Sequence, residues 1–336
     1  MRRTHTPWSR PVIDGSDMHR VAIVQVPPVV LDRAATLALA VDRIDEAADA
    51  GARLIAFGET FVPGYPEWIW GLRPGDDGDI SAAINSRLLD QAVDLEEDGL
   101  AIVRAAARRR DVVVVMGVHE LDGAYSRATL YNTIVVIGAD GTVLLRHRKL
   151  VPTNAERMVW GQGDGVGLEA VETPVGRVGG LICWENYMPL ARFALYASGV
   201  QIYVAPTWAD GDTWITSMRH IAAEGRCWVL GCGSAMRVSD MPADLPGRSR
   251  IYADRDPDQW LNMGDSLIVA PGGEIVAGPL HEATGILYAD CDPARATAAH
   301  RTLDVAGHYG RPDVFHFTVD RSPSRPLSTE GDPPAW

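Results

Sequence analysis

The sequence predicts an α/β protein in which helices pack outside sheets. Two observations carry most of that reading. Residues 20–57 read as strand, helix, strand, and beyond them amphipathic helical stretches keep alternating with short apolar runs and turn-linked strand pairs. A third observation, the absence of any composition shift along 336 residues, argues for one layered domain rather than two.

After a polar, Pro-containing leader (residues 1–19), the apolar run at 20–26 predicts a buried strand. Asp32 stands where a helix N-cap belongs. Ala34, Leu37, Ala38, Val41, Ile44 and Ala48 share one helical face, and Gly51 follows at the expected C-terminal cap. A second strand at 53–57 leaves Glu59 at a strand's C-terminal end. A loop rich in Gly, Pro and Trp (61–79) leads into a long helical stretch to Arg110, then a strand at 111–118. Strands at 131–137 and 142–146 around Ala139-Asp140-Gly141 predict a hairpin; strands at 167–173 and 177–182 around Pro174-Val175-Gly176 predict another, which runs straight into Cys183. Helices carrying Leu190, Phe193, Ala194 and Ala197, and Trp214, Met218, Ile221, Ala222 and Gly225, flank a strand at 201–205. Short strands at 228–231, 266–270, 274–276 and 285–289 follow. The single domain spans residues 20–310, and 311–336 form a Pro-rich tail.

Composition removes several function classes. Hydrophobic residues at 46% and charged residues at 22% are the balance of a globular protein. A net charge of −13 repels phosphate backbones and excludes nucleic acid as a partner. The longest apolar runs, such as 112–118, fall far short of the ~20 residues of a membrane span, so no membrane partner is expected. The leader lacks the apolar stretch of a secretory signal, which predicts a cytoplasmic protein. Cys183, Cys227, Cys232 and Cys291 show no CxxC spacing, so free thiols are expected rather than a disulfide framework or a zinc site.

Of the 31 basic residues, 30 are Arg and one is Lys149. Surface cations in this chain therefore tolerate Arg, whereas an ammonium is a compact group that can exchange a proton near neutral pH when its site is tuned. No GxSxG, GxxxxGK[ST] or HExxH motif occurs, and Gly161, Gly163, Gly165 and Gly167 do not fit GxGxxG and read as a flexible loop. Cys183 leaves an apolar strand just before a helix, where backbone N–H groups and the dipole favour thiolate. A thiol nucleophile needs a base and a donor for the developing charge. Glu59 and Lys149, each at a strand end, supply them.

Three segments resemble the signature blocks of the nitrilase branch of the carbon-nitrogen hydrolase superfamily. They are Phe57-Gly58-Glu59-Thr60-Phe61-Val62-Pro63-Gly64-Tyr65-Pro66, His147-Arg148-Lys149-Leu150-Val151-Pro152-Thr153 and Gly179-Gly180-Leu181-Ile182-Cys183-Trp184-Glu185-Asn186. The similarity runs from about Arg20 to Val314 and includes His308-Tyr309-Gly310-Arg311-Pro312-Asp313-Val314-Phe315. The resemblance implies a four-layer α-β-β-α sandwich of the nitrilase type and a Glu59-Lys149-Cys183 triad. It adds Glu156 as a second glutamate that helps place the Lys and the attacking water. It puts pocket-lining side chains at Tyr65, Trp70, Trp160, Trp184, Thr207 and Trp208, the last where close relatives carry a small residue.

The implied reaction is hydrolysis of a small-molecule nitrile to the acid and ammonia through a thioimidate and a thioester, with neither metal nor organic cofactor. An amidase using the same triad is the alternative, and Cys183-Trp184-Glu185-Asn186 favours the nitrile. A non-catalytic scaffold is the reading from another class, and the complete triad counts against it. The resemblance also implies self-association into dimers through helices at 187–198 and 213–225. Their outward faces are expected to carry Tyr187, Met188, Tyr196, Trp214 and Met218. Segments 76–86 and 236–260 read as insertions able to make a second contact, giving spirals or filaments.

Overall fold

A computed structural model of the protein describes residues 18–73, 75–324 and 327. Most of the expected leader lies outside these residues. The first half runs β1 (His19–Gln25), α1 (Arg33–Asp49), β2 (Ala52–Phe57), α2 (Gly78–Gln91), β3 (Val93–Asp94), α3 (Ala101–Arg110), β4 (Val113–Leu121), β5 (Leu130–Ile137) and β6 (Val143–Arg148). The second runs β7 (Val171–Thr173), β8 (Gly176–Gly180), α4 (Pro189–Ala197), β9 (Ile202–Pro206), α5 (Gly211–Gly225), β10 (Trp228–Cys232), β11 (Ala235–Arg237), α6 (Arg248–Tyr252), β12 (Trp260–Ala270), β13 (Glu274–His281), β14 (Gly285–Cys291) and α7 (Pro293–Ala299).

Among the described residues the strands form two sheets. One has the order β14-β1-β2-β4-β5-β6, with β3 beside β4; the other has the order β11-β12-β10-β9-β8-β7, with β13 beside β12. Strand periodicity explains the layering. Val21, Ile23, Leu54, Ala56, Val113 and Val115 face Val178, Ile202, Val204, Leu230 and Ile268 in a core between the sheets. Their neighbours Ala22, Val24, Ile55, Phe57 and Val114 point the other way, onto Leu37 and Ile44 of α1 and Val103 and Ala106 of α3. On the far side Tyr203, Ala205 and Val229 meet α4 and α5. Buried on both faces, the central strands read as continuous apolar runs. The result is the expected α-β-β-α sandwich. Helix α1 starts as the sequence predicts, with Asp32 accepting from Ala35 N at 2.9 Å.

Several expectations are corrected. The long helical stretch before Arg110 is two helices, because Val93 and Asp94 leave α2 to pair with Glu120 and Leu121 of β4. Strand β11 and helices α6 and α7 fall in stretches too short or too mixed for periodicity to reveal. The glycines at 161–167 are not a loose loop: a Cβ on Gly163 or Gly167 would collide with Arg148 O or Arg146 O, so these glycines let the chain lie against β6. The tail packs too, with Phe317 edge-on to Phe193 at 5.1 Å and Ser324 N donating to Asp164 Oδ2 at 2.9 Å.

The outward faces of α4 and α5 also differ. Tyr196, Trp214 and Met218 lie in the core beneath these helices, and Met188 packs at its edge. Of the five, Tyr187 is exposed as expected, and Trp184 and Leu190 are exposed beside it. Helix α2, which holds most of the first expected insertion, packs on the second within the chain: Ile84 and Leu88 share one cluster with Met236, Met241, Leu245 and Ile251, and Arg87 pairs with Asp244 at 3.0 Å.

Candidate active site

The sheet layout brings the ends of β2, β6 and β8 together, and with them Glu59, Lys149 and Cys183, all buried. The approach depends on one glycine. A Cβ on Gly117 of β4 would collide with Gly58 O and lie 2.7 Å from Thr60 N, so only glycine lets the turn bearing Glu59 sit against the neighbouring strand.

Lys149 is held at both ends. Its backbone N–H donates to Asn132 O at 2.8 Å. Its Nζ donates to Glu59 Oε1 at 2.9 Å and to Glu156 Oε2 at 2.7 Å. Glu59 Oε1 also accepts from Asn132 Nδ2 at 2.7 Å, and its Oε2 from the Trp208 backbone N–H at 2.7 Å. Glu156 accepts from Tyr65 OH at 2.8 Å and from Thr153 N at 2.7 Å, the latter as part of a capping box on the short turn Asn154–Met158. Two carboxylates therefore share one ammonium, which uses two of its three donors on them.

Cys183 does not open the helix the sequence suggests. Strand β8 stops at Gly180, Cys183 begins a one-turn 3-10 segment (Cys183–Tyr187), and α4 starts only at Pro189. The Cys183 backbone is left-handed, φ 52°, a sparsely populated conformation for a non-glycine residue. Asn186 fixes the turn by donating to Leu181 O at 3.0 Å and Cys183 O at 2.8 Å. The thiol pKa is pushed up to about 12 by burial and by the Glu59 charge, with Lys149 and Thr207 pulling the other way. The resting sulfur is therefore a thiol, not the thiolate that a helix terminus would favour.

The other groups respond to the same environment. Burial raises the Glu59 carboxyl above its ordinary range, and Lys149 and Asn132 offset this only in part. Burial works against the Lys149 ammonium, but the charges of Glu59 and Glu156 outweigh it and hold the amine protonated. Glu59, Glu156 and Cys183 present atoms within 4.8 Å of one another, a spacing that could accept a metal ion. Lys149 already bonds both carboxylates there, so a second cation would face an ammonium at close range.

A cavity of about 490 Å³ opens onto Cys183 and Glu156 and is walled by Tyr65, Trp70, Trp184, Tyr187, Trp208 and Trp214. Tyr65 and Trp208 are stacked, 4.4 Å between centroids and 5° between planes. Of the six expected pocket side chains, Tyr65, Trp70, Trp184 and Trp208 line the cavity. Thr207 is buried beside the sulfur. Trp160 stands behind Tyr65, 5.8 Å away edge-on, and donates to His119 Nδ1 at 3.0 Å. His119 then donates from Nε2 to Gly64 O at 2.9 Å, and burial lowers its pKa to about 3, so the ring is neutral. A larger groove, about 890 Å³, lies between α4 and the C-terminal segment and contains none of these groups.

Asn132 and His119 were not anticipated. Each is a polar residue inside an otherwise apolar buried strand, which is the signal that could have marked them. The Trp208 backbone N–H leaves no signal in sequence.

Two stacked sheets with a buried thiol, two carboxylates and an ammonium at their shared end fit a hydrolase of the α-β-β-α class. The profile of the carbon-nitrogen hydrolase family matches residues 20–301, and the chain belongs to that family, in its nitrilase branch. It is 39% identical to Nitrilase 2 of Arabidopsis thaliana, over 96% of this chain and 94% of that protein. It is also 39% identical to an aliphatic nitrilase of Sinorhizobium fredii, over 92% and 98%. Among solved structures, yeast (Saccharomyces cerevisiae) Nit3, of branch 10 of the nitrilase superfamily, shares the fold with a TM-score of 0.64 at 20% identity, over 88% of this chain and 97% of that one.

Proposed function

We infer that the protein is a nitrilase, which hydrolyses an organic nitrile to the carboxylic acid and ammonia. The observation that carries this reading is the single ammonium bonded to two buried carboxylates beside a buried thiol, in a chain about 39% identical to named nitrilases.

Glu59 is the general base. Its raised pKa makes it a competent proton acceptor, and it takes the Cys183 proton as sulfur attacks the nitrile carbon. The C–S bond forms as one C–N π bond breaks, and the nitrogen takes a proton from Lys149, which Glu59 restores with the proton it took from sulfur, to give a thioimidate. Lys149 stabilises the charge developing on that nitrogen through the donor it does not use on a carboxylate. Water adds to the carbon, ammonia leaves, and a thioester remains. A second water, activated by a carboxylate, releases the acid and returns the proton to sulfur. Glu156 helps hold Lys149 and the attacking water, supported by its position at the cavity wall. Tyr65, Trp70, Trp184 and Trp208 form the substrate wall, with Trp160 and Thr207 supporting it from behind.

Ammonia release over a panel of nitriles and amides tests the reading. Nitriles are expected to be consumed, and turnover of amides alone would overturn it. Intact-mass measurement with a slow substrate is expected to find one acyl adduct, on Cys183; an adduct on Cys227, Cys232 or Cys291 would remove the assignment. We also propose residues 20–310 as one hydrolase domain, a cytoplasmic location and self-association into dimers and longer spirals. Four buried free thiols suit a reducing compartment. The exposed Trp184, Tyr187 and Leu190 suit a partner surface. A monomer mass by light scattering at full activity would overturn the association.

A further inference from the structure

We propose that Glu185 is a positioning residue for the reacting pair: its carboxylate ties the residue after Lys149 to the residue before Cys183 and so fixes the ammonium against the sulfur. The inference rests on the reading of Cys183 as nucleophile. Lys149 follows β6, at the edge of one sheet, and Cys183 follows β8, in the other. Two groups that must meet are therefore carried by different layers, and packing between sheets alone does not fix them to a few tenths of an ångström.

Glu185 spans the gap. Its Oε1 accepts from Leu150 N at 2.8 Å and its Oε2 from Ile182 N at 2.9 Å. His147 Nε2 lies 3.1 and 2.9 Å from the two oxygens and donates to them from inside β6. Both side chains are fully buried. On the Cys183 side the turn is already rigid, through Asn186, whose Oδ1 accepts from Tyr203 OH at 2.7 Å. The carboxylate thus joins one rigid turn to the strand end that carries Lys149.

Capping alone does not account for this arrangement. The Ile182 bond caps the short turn, which a neutral side chain could also do. The Leu150 and His147 bonds reach another sheet and require two oxygens, and they satisfy a buried anion that the turn itself does not need. These partners hold the Glu185 carboxyl below its ordinary range in spite of burial.

The test uses Glu185→Gln, which has one acceptor oxygen where two are needed. The rate of Cys183 alkylation by iodoacetamide is measured against pH, together with ammonia release normalised to titratable thiol. Alkylation at neutral pH is expected to slow about tenfold, with the midpoint moved upward because Lys149 no longer faces the sulfur. The kcat per thiol is expected to fall about a hundredfold with KM within about threefold. An alkylation profile and kcat per thiol equal to the parent's, whatever the loss in melting temperature, would overturn the proposal. Should this variant not fold, His147→Gln removes one bond and keeps both backbone bonds; a midpoint moved in the same direction supports the proposal, and an unmoved one overturns it. A parent that alkylates at Cys183 but releases no ammonia from any nitrile would refute the nitrilase reading, while the alkylation profiles still decide the role of Glu185.

Discussion

Two buried carboxylates in this protein have opposite fates. Glu59 and Glu120 both lie within the first sheet, at the ends of β2 and β4, and both are removed from water. Glu120 meets two guanidinium groups, Arg146 and Arg148, and a hydroxyl from Thr133 at 2.8 Å, and these partners hold its carboxyl below the ordinary range despite burial. Glu59 meets one ammonium that it shares with Glu156, and its carboxyl is raised. Burial is common to both; the number and kind of cations differ. A permanent fork saturates a carboxylate and makes it a structural anion, whereas a shared ammonium leaves one able to take a proton. The only Lys in the chain stands at the second kind of site.

The comparison can be broken most severely at the thiol. Cys183→Ala is expected to abolish turnover while leaving the circular dichroism spectrum and melting temperature close to the parent's, since a small buried replacement at a turn costs little. Residual ammonia release above background would show that the sulfur is not the nucleophile.

Lys149→Arg makes the Glu59 cluster chemically similar to that of Glu120. A bulky fork that cannot give up a proton is expected to lower kcat about a thousandfold, although the charge is kept. Activity within a few-fold of the parent would reduce Lys149 to a structural cation.

Opposite pH dependences follow from the two carboxylates. Because the folded pKa of Glu120 is lowered, its charge stabilises the fold above the ordinary carboxylate range, and that contribution is lost as pH falls through the folded value. Glu120→Gln is therefore expected to cost about 2 kcal/mol at neutral pH and less on acidification, with kcat within about threefold. The folded pKa of Glu59 is raised, so its charged form opposes folding at neutral pH and the penalty is relieved as pH falls through that value. Glu59→Gln is expected to remove activity and, although it removes that penalty, to lower the neutral-pH melting temperature, because it leaves the buried Lys149 ammonium with one carboxylate in place of two. Melting curves across acid pH check both signs, and a Glu120→Gln deficit that does not shrink on acidification would contradict the contrast.

The smallest effect is expected at Trp208. Its backbone N–H serves Glu59 whatever the side chain, so Trp208→Ala should raise KM for nitriles with flat aromatic groups about tenfold and change kcat less. A collapse of kcat with unchanged KM would mean that the indole holds the turn rather than the substrate.

Much of this was legible before folding is considered. Continuous apolar runs in β1, β2 and β4 mark strands, Asp32 marks the start of α1, and three sequence blocks mark Glu59, Lys149 and Cys183. These are local signals, because periodicity, caps and the chemistry of a side chain are written into neighbouring residues. Tertiary structure alone decided the rest. Asn132 became a partner of Glu59 only because β5 lies where it does, and Trp208 contributed a backbone group that every residue type has. Trp214 and Met218, expected outward as partner contacts, turned inward because they share one helical stripe with Ile221, Ala222 and Gly225, and Tyr196 of α4 packs against Gly225. The protonation of Cys183 reversed the expectation for a helix terminus, because desolvation depends on everything packed around the sulfur and not on the turn that carries it.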